Sequence, residues 1–171
     1  MRILVVSDTH APGRWQGVPA ELLLPLARAD AILHAGDVCT AGVLDDLAQF
    51  APVHVVMGNN DGSAVQGWGA RPTLELELAG VRVAMVHDSG SRDGRGRRLA
   101  RWFPSADLVV YGHSHAPFDG SDAGVRLFNP GSTSDPRREP VGTYGVLELQ
   151  DGVVLASRIV PIEATRRRVA T

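Results

Sequence analysis

A chain of 171 residues with 44% hydrophobic and 21% charged side chains has apolar material for one sizeable core, which points to a single globular domain. Its formal net charge of −2 gives no global attraction to nucleic acid or to an anionic membrane. The lone cysteine, Cys39, rules out an internal disulfide. No apolar run approaches the roughly 20 residues of a transmembrane helix, and Asp8 and His10 cut the first one too short for a secretory leader, so a cytoplasmic location is the simplest expectation.

Ile3–Val6 reads as a short strand buried on both faces. Asp8 and His10 follow it. Residues two apart in extended chain share a side, so the pair is expected to project together from the strand end. Ala11–Val18 is a Gly- and Pro-rich loop, and Pro19–Arg28 starts like a helix that Pro25 is expected to break or kink. Ala31–His34 is a second buried strand, ending in Gly36-Asp37. Thr40 is placed to cap a helix running to about Phe50, with Val43, Leu44 and Leu47 on one face. Val53–Met57 is a third strand, followed by the polar loop Gly58-Asn59-Asn60-Asp61.

Three β-loop-α units argue for a sheet with a parallel core. The second half differs. Thr73–Leu78 and Val81–Val86 form a hairpin around Ala79-Gly80 that ends in His87-Asp88, and a helix covers about Arg95–Phe103. Asp107–Tyr111 ends in Gly112-His113-Ser114-His115, and Val125–Phe128 leads into Asn129-Pro130-Gly131-Ser132. Thr143–Leu149 and Val153–Val160 pair around Asp151-Gly152. Two mixed sheets packed face to face, with helices outside, use all these elements. Residues 1–162 read as one domain and residues 163–171, with three consecutive arginines, as a basic and flexible tail.

Oxygen and imidazole donors therefore stand at the ends of five segments: Asp8 and His10, Asp37, Asn59, His87, and His113 with His115. Sites in open α/β sheets form at the carboxyl ends of strands. Asp, Asn and His suit borderline divalent ions such as Mn, Fe, Co, Ni or Zn. Seven donors are too many for one tetrahedral ion and fit two ions sharing a carboxylate, the arrangement used in phosphoester chemistry.

Ser7-Asp8-Thr9-His10, Gly36-Asp37, Gly58-Asn59, His87 and Gly112-His113-Ser114-His115 resemble, in order, the five motifs of the calcineurin-like metallophosphoesterases. Asn129-Pro130-Gly131-Ser132 and the closing hairpin narrow the resemblance to small phosphodiesterases of the YfcE type, which share their fold with the retromer subunit Vps29. The resemblance implies a four-layer α/β/β/α sandwich and a dinuclear centre, manganese first among its metals. Asp8, His10 and His115 would hold one ion, Asn59, His87 and His113 the other, and Asp37 would bridge them. A hydroxide between the ions would attack phosphorus in line.

Catalytic roles then fall to Asp37, Asn59 and Asn60, and substrate contacts to Asn59 and Asn60, with Arg92 and Arg137 added as rim cations. The implied partner is a small phosphoester, with neither membrane nor dedicated nucleic-acid binding, and with a homo-oligomer left open. A non-catalytic Vps29-like scaffold, a phosphomonoesterase and a nuclease remain alternatives.

Two positions depart from the family pattern. Asn60 stands where many members carry a His that protonates the leaving oxygen, and an amide donates a hydrogen bond without acting as an acid. His87-Asp88-Ser89 replaces His-Gly-His, so Asp88 either orients His87 or sits on the rim. His34 and His54 read as structural histidines and Cys39 as a small buried residue. The arginines Arg92, Arg95, Arg97 and Arg98 form either a solvated helix face or a phosphate-attracting rim. Trp15, Trp68 and Trp102 are core or rim packing by default.

Overall fold

The computed structural model describes residues 1–162; the expected basic tail, 163–171, lies outside the described residues. The first half runs β1 (Arg2–Val6), α1 (Ala20–Ala27), β2 (Ala31–His34), α2 (Gly42–Ala48), β3 (Val53–Val55) and α3 (Ser63–Trp68). A hairpin of β4 (Thr73–Leu78) and β5 (Val81–Val86) leads to α4 (Arg95–Trp102) and β6 (Leu108–Tyr111). Then come β7 (Phe118–Asp122), β8 (Val125–Asn129), β9 (Thr143–Gln150) and β10 (Val153–Pro161).

The strands form two five-stranded sheets, ordered β10-β9-β1-β2-β3 and β4-β5-β6-β8-β7. Both are mixed: β1, β2 and β3 are parallel, as are β5, β6 and β8, and antiparallel strands complete each sheet. The registers set the geometry of the site. Val6 lies opposite His34 in the first sheet and Val86 opposite Tyr111 in the second, so the loops beyond these residues leave each sheet at one level.

Alternation along the central strands buries both faces. Ile3, Val5 and Leu33 turn inward and meet Val83, Met85, Val110 and Phe128 of the second sheet. Leu4, Val6 and Ile32 turn outward against Leu22, Leu26, Leu44, Leu47 and Val65 of the first three helices. Val109, Tyr111 and Leu127 do the same against Leu99 and Phe103 at α4. The four-layer α/β/β/α sandwich expected from the resemblance is the observed architecture. Among the described residues no helix is long and apolar enough to cross a membrane.

Local expectations fail or fall short in four places. Pro25 does not break α1: it sits inside the helix, although its ring has no N–H to donate to the preceding turn. Leu22 and Leu26, both fully buried, hold the helix on the sheet across that position. Thr40 does not cap α2 with its side chain; its carbonyl accepts the Val43 N–H at 3.3 Å instead. The helix α3 comes after the Gly58–Asp61 loop, where the third β-loop-α unit was counted without residues being assigned to its helix. The strand β7, Phe-Asp-Gly-Ser-Asp, was unexpected, because an exposed edge strand needs no apolar alternation.

Candidate metal centre

Strand β1 stops at Val6, and the residues beyond it are not extended. Asp8 and His10 both have left-handed backbone, with φ of 54° and 48°. Asp37 and Cys39 repeat the pattern after β2 (55° and 69°), and His113 and His115 repeat it after β6 (65° and 58°). The expectation that Asp8 and His10 meet as alternate residues of a pleated strand is therefore wrong in mechanism. Extension would set their Cα atoms about 7 Å apart. The tighter left-handed turns bring Asp8 Oδ1 within 4.0 Å of His10 Nε2. Asp, Asn and His tolerate this conformation better than other non-glycine residues, and strain of this kind gathers at functional sites.

The loops are laced together by backbone bonds. The N–H groups of Asp8 and His10 donate to the carbonyls of Gly36 and Asp37, both at 3.0 Å. The Asn129–Ser132 motif buttresses two loops at once. Asn129 Nδ2 donates to the Gly112 carbonyl at 3.0 Å, and Ser132 Oγ donates to the Asp8 carbonyl at 2.7 Å. Gly112 is required by close approach: a Cβ there would lie 2.1 Å from Ser7 Oγ and 2.9 Å from Asp8 Oδ2.

All seven expected donors come together in one row. His115 Nε2 lies 3.2 Å from Asp8 Oδ1 and 3.2 Å from His10 Nε2. Asp37 Oδ2 stands between the two halves, 3.6 Å from His10 Nε2 and 3.4 Å from His87 Nε2. Asn59 Oδ1 closes the far side, 3.2 Å from His87 Nε2 and 2.9 Å from His113 Nδ1. Asp8, His10 and His115 converge tightly enough to share an ion, and so do Asp8, Asp37 and His87.

The orientation of the rings favours a cation. His87 Nδ1 donates to the Ala35 carbonyl at 2.7 Å, and His115 Nδ1 donates to the Asp135 carbonyl. A neutral imidazole that spends Nδ1–H in this way turns the Nε2 lone pair toward its neighbours. His115 then presents a lone pair to a carboxylate and to another imidazole. Asp8 Oδ1 is buried and accepts no hydrogen bond, while Oδ2 accepts from Ser7 Oγ at 2.5 Å. A buried carboxylate oxygen without a donor is costly, and a divalent ion or a proton on Nε2 removes that cost.

The electrostatics agree. Burial pushes His87 and His115 toward neutrality, but the carboxylates of Asp37 and Asp8 outweigh it and raise both above the ordinary histidine value. Burial likewise favours a protonated Asp37, yet the contact with His87 and two donors from Asn60 hold its carboxyl well below the usual carboxylate range. A divalent cation is a competitor for the place those protons take.

Neighbouring residues support the donor row. Asn60 donates its backbone N–H to Asp37 Oδ1 at 2.8 Å and its amide to Asp37 Oδ2 at 2.7 Å, so it clamps the central carboxylate. Asp61 was missed. It accepts from the N–H groups of Gly58 (2.7 Å), Asp37 (3.0 Å) and Cys39 (2.6 Å), tying the β2 and β3 loops together. Its only signal was a carboxylate closing the polar Gly58-Asn59-Asn60-Asp61 loop. Asp88 is exposed and caps the Gly90 N–H at 2.7 Å; the Ala35 carbonyl orients His87 in its place.

Cys39 is half-buried with Sγ 3.7 Å from His10 Nδ1, and burial pushes its thiol up to about 11. Trp15 lies in the core and Trp68 packs against it, whereas Trp102 is exposed. His54 is half-buried on β3, where burial lowers its pKa. Arg92 and Arg137 line separate cavities of about 540 and 380 Å³, which share Ser114 and Ala116 on either side of His115.

His34 is the structural histidine expected. It is fully buried, its Nδ1 accepts the Gly36 N–H at 3.2 Å, and its Nε2 meets Thr9 Oγ1 at 3.1 Å. Burial lowers its pKa from 6.5 to about 4. The unfolded chain binds this proton below pH 6.5 while the folded chain refuses it until about pH 4. His34 thus contributes stability above pH 6.5 that is lost as the pH falls, about 3 kcal/mol in all. His87 and His115 act with the opposite sign in metal-free protein. The expected result is therefore a difference in urea stability between wild type and His34→Gln that shrinks by that amount from pH 7 to pH 4. A pH-independent difference would show that His34 is protonated in the native state.

The sequence profile of the calcineurin-like phosphoesterase superfamily domain matches residues 1–152. A probable metallophosphoesterase of Methanothermobacter thermautotrophicus is 34% identical over 142 residues, 80% of each chain. One from Methanocaldococcus jannaschii is 31% identical over 167 residues, covering 95% of this chain and 82% of the relative. Wild-type Vps29 of Entamoeba histolytica, solved in complex with Zn²⁺, superposes with a TM-score of 0.74 at 25% identity, over 95% of this chain and 98% of that one.

Proposed function

Because the chain belongs to the calcineurin-like phosphoesterase superfamily, we propose that it is a phosphodiesterase working with two divalent ions, manganese first among them. The row of seven donors with Asp37 at its middle is the observation that carries this reading. Asp8, His10 and His115 would hold one ion, and Asn59, His87 and His113 the other, with Asp37 shared. Ions bound there lower the pKa of water and neutralise charge on phosphoryl oxygens. The Zn²⁺ complex of the Vps29 relative supports the capacity of such a site for a divalent ion.

The chain's own residues position these groups. Asn60 and Asp61 hold Asp37 and its loop in place, and the Ala35 and Asp135 carbonyls set the His87 and His115 rings. The Asn60 amide is committed to Asp37 and cannot supply a proton, so good leaving groups such as aryl oxides are favoured. Two cavities flanking the His113–His115 loop suit the two arms of a diester better than the single arm of a monoester. Arg92 and Arg137 stand one in each. The complete donor row argues for catalysis over a purely scaffolding role. We take residues 1–162 as the catalytic unit and its setting as the cytoplasm.

The test is hydrolysis of bis(p-nitrophenyl) phosphate and p-nitrophenyl phosphate with Mn²⁺, Zn²⁺, Co²⁺, Ni²⁺ or Mg²⁺ added to chelator-treated protein. The expected outcome is metal-dependent turnover, faster on the diester, abolished by chelation and restored by metal. Faster turnover of the monoester would replace the diester assignment, and no turnover of either ester with any metal would overturn the enzymatic reading.

A further inference from the structure

The larger cavity runs from Ser114 and Ala116, beside His115, down along β7 to Asp122. At about 540 Å³ it has the size of a small-molecule site, but none of the seven donors lines it. Part of the lining is apolar: Pro117, Phe118 and Leu127. Phe118 is 38% exposed, and its ring lies over Gly120, where an added Cβ would meet it at 3.1 Å. A flat aromatic face is thus held open on an edge strand, with the missing side chain at Gly120 as its bed.

The same lining carries Arg92 and Arg95. Some arginines of this chain have acidic partners, as Arg82 has Asp107 and Arg126 has Asp119. Among the described residues no ion pair holds Arg92 or Arg95. Arg95 donates to Tyr111 Oη at 3.1 Å and lies 5.0 Å over the Tyr111 ring, while its Nε is buried without an acceptor. The one carboxylate of the cavity, Asp122, accepts the Gly96 N–H at 2.9 Å. The lining thus combines two arginines that have no ion-pair partner among the described residues with an exposed aromatic ring, and its single carboxylate is committed to a backbone N–H. A ligand complementary to this lining has a flat ring and a charge-bearing oxyanion.

We propose that this groove is a subsite for one arm of the substrate, and that the arm is an aromatic, nucleoside-like group bearing a second phosphate. The inference rests on the phosphodiesterase reading and narrows it to a substrate class. The scissile phosphate lies at the donor row, the ring on Phe118, and the second phosphate between Arg92 and Arg95.

The experiment compares two dinucleotides that differ only in a terminal phosphate, 5′-phosphorylated diadenylate and unphosphorylated diadenylate. Manganese-loaded wild type is expected to favour the phosphorylated one by about tenfold in kcat/KM, mainly through KM, as expected of one charge-assisted contact. Arg92→Gln, at an exposed position, should reduce that preference to under threefold, and Phe118→Ser should raise KM for both dinucleotides. Equilibrium binding to metal-free protein, measured by calorimetry, should show the same preference and the same loss in Arg92→Gln. Turnover of bis(p-nitrophenyl) phosphate without discrimination between the dinucleotides would overturn the subsite and leave the phosphodiesterase reading standing. If no diester is hydrolysed, the binding measurement decides alone, and equal affinities in wild type overturn the proposal.

Discussion

Asp37→Asn is expected to lower turnover of bis(p-nitrophenyl) phosphate by about a thousandfold or more while shifting the melting temperature of metal-free protein by only a few degrees. The loss is a consequence of position. Asp37 Oδ2 is the atom between His10 Nε2 and His87 Nε2, so its charge bears on both halves of the donor row. On the proposed two-ion reading, removing an anionic donor that both ions share sacrifices several kcal/mol of transition-state stabilisation, and about 4 kcal/mol is a thousandfold. The fold is spared because Asn has the same shape and is among the residues that tolerate the φ of 55° found here. Steady-state kinetics, calorimetric melting and metal content measured together check this. Retained activity with full metal content would remove Asp37 from its central role, and a collapse of melting temperature would make it structural.

Gly58→Ala is expected to abolish the same activity by a different route, and to destabilise the protein by about 3 kcal/mol, or roughly 6–12 °C in melting temperature. A Cβ on Gly58 would lie 2.1 Å from the Asp37 backbone nitrogen and 2.2 Å from Asp37 Oδ1. Neither neighbour can give way cheaply. The Asp37 N–H is fixed to Asp61 Oδ2 at 3.0 Å, and Asp37 Oδ1 accepts the Asn60 N–H at 2.8 Å. The methyl must push the β2 and β3 loops apart, which moves the central carboxylate away from His10 and His87. Metal titration and thermal melting distinguish this from a simple loss of one donor. A variant that melts like wild type and binds metal normally would contradict the close approach.

The two substitutions differ in how far ahead of the structure they can be reasoned. Asp37 stands out in the sequence because an acidic residue ends a buried strand and other donors end neighbouring strands. The importance of Gly58 is not visible there, since its neighbour across 2 Å is twenty-one residues away. Asp61 is similar: nothing local says that its carboxylate collects three N–H groups from two loops. Asn60 was read as a phosphate contact because of its place in the motif, and the structure turns its amide toward Asp37. The strand β7 and its exposed Phe118 escaped notice because a polar edge strand carries no apolar period, and the groove beside it was invisible with them.

Periodicity and strand-end chemistry were sufficient for the layers and for the gathering of the seven candidate donors at one edge. Burial on both faces makes Ile3–Val6, Ala31–His34 and Leu108–Tyr111 unmistakable as central strands, and parallel strands deliver their C-terminal loops to one edge. Tertiary structure alone decided how those donors face one another. Paired left-handed residues replace pleated extension at Asp8 and His10, Ala35 and Asp135 carbonyls choose which ring nitrogen is left open, and Asp61 locks the loops around Asp37. Each of these depends on atoms brought together across long stretches of chain, and a hydrogen bond or a steric approach between distant residues leaves no period in the sequence to be read.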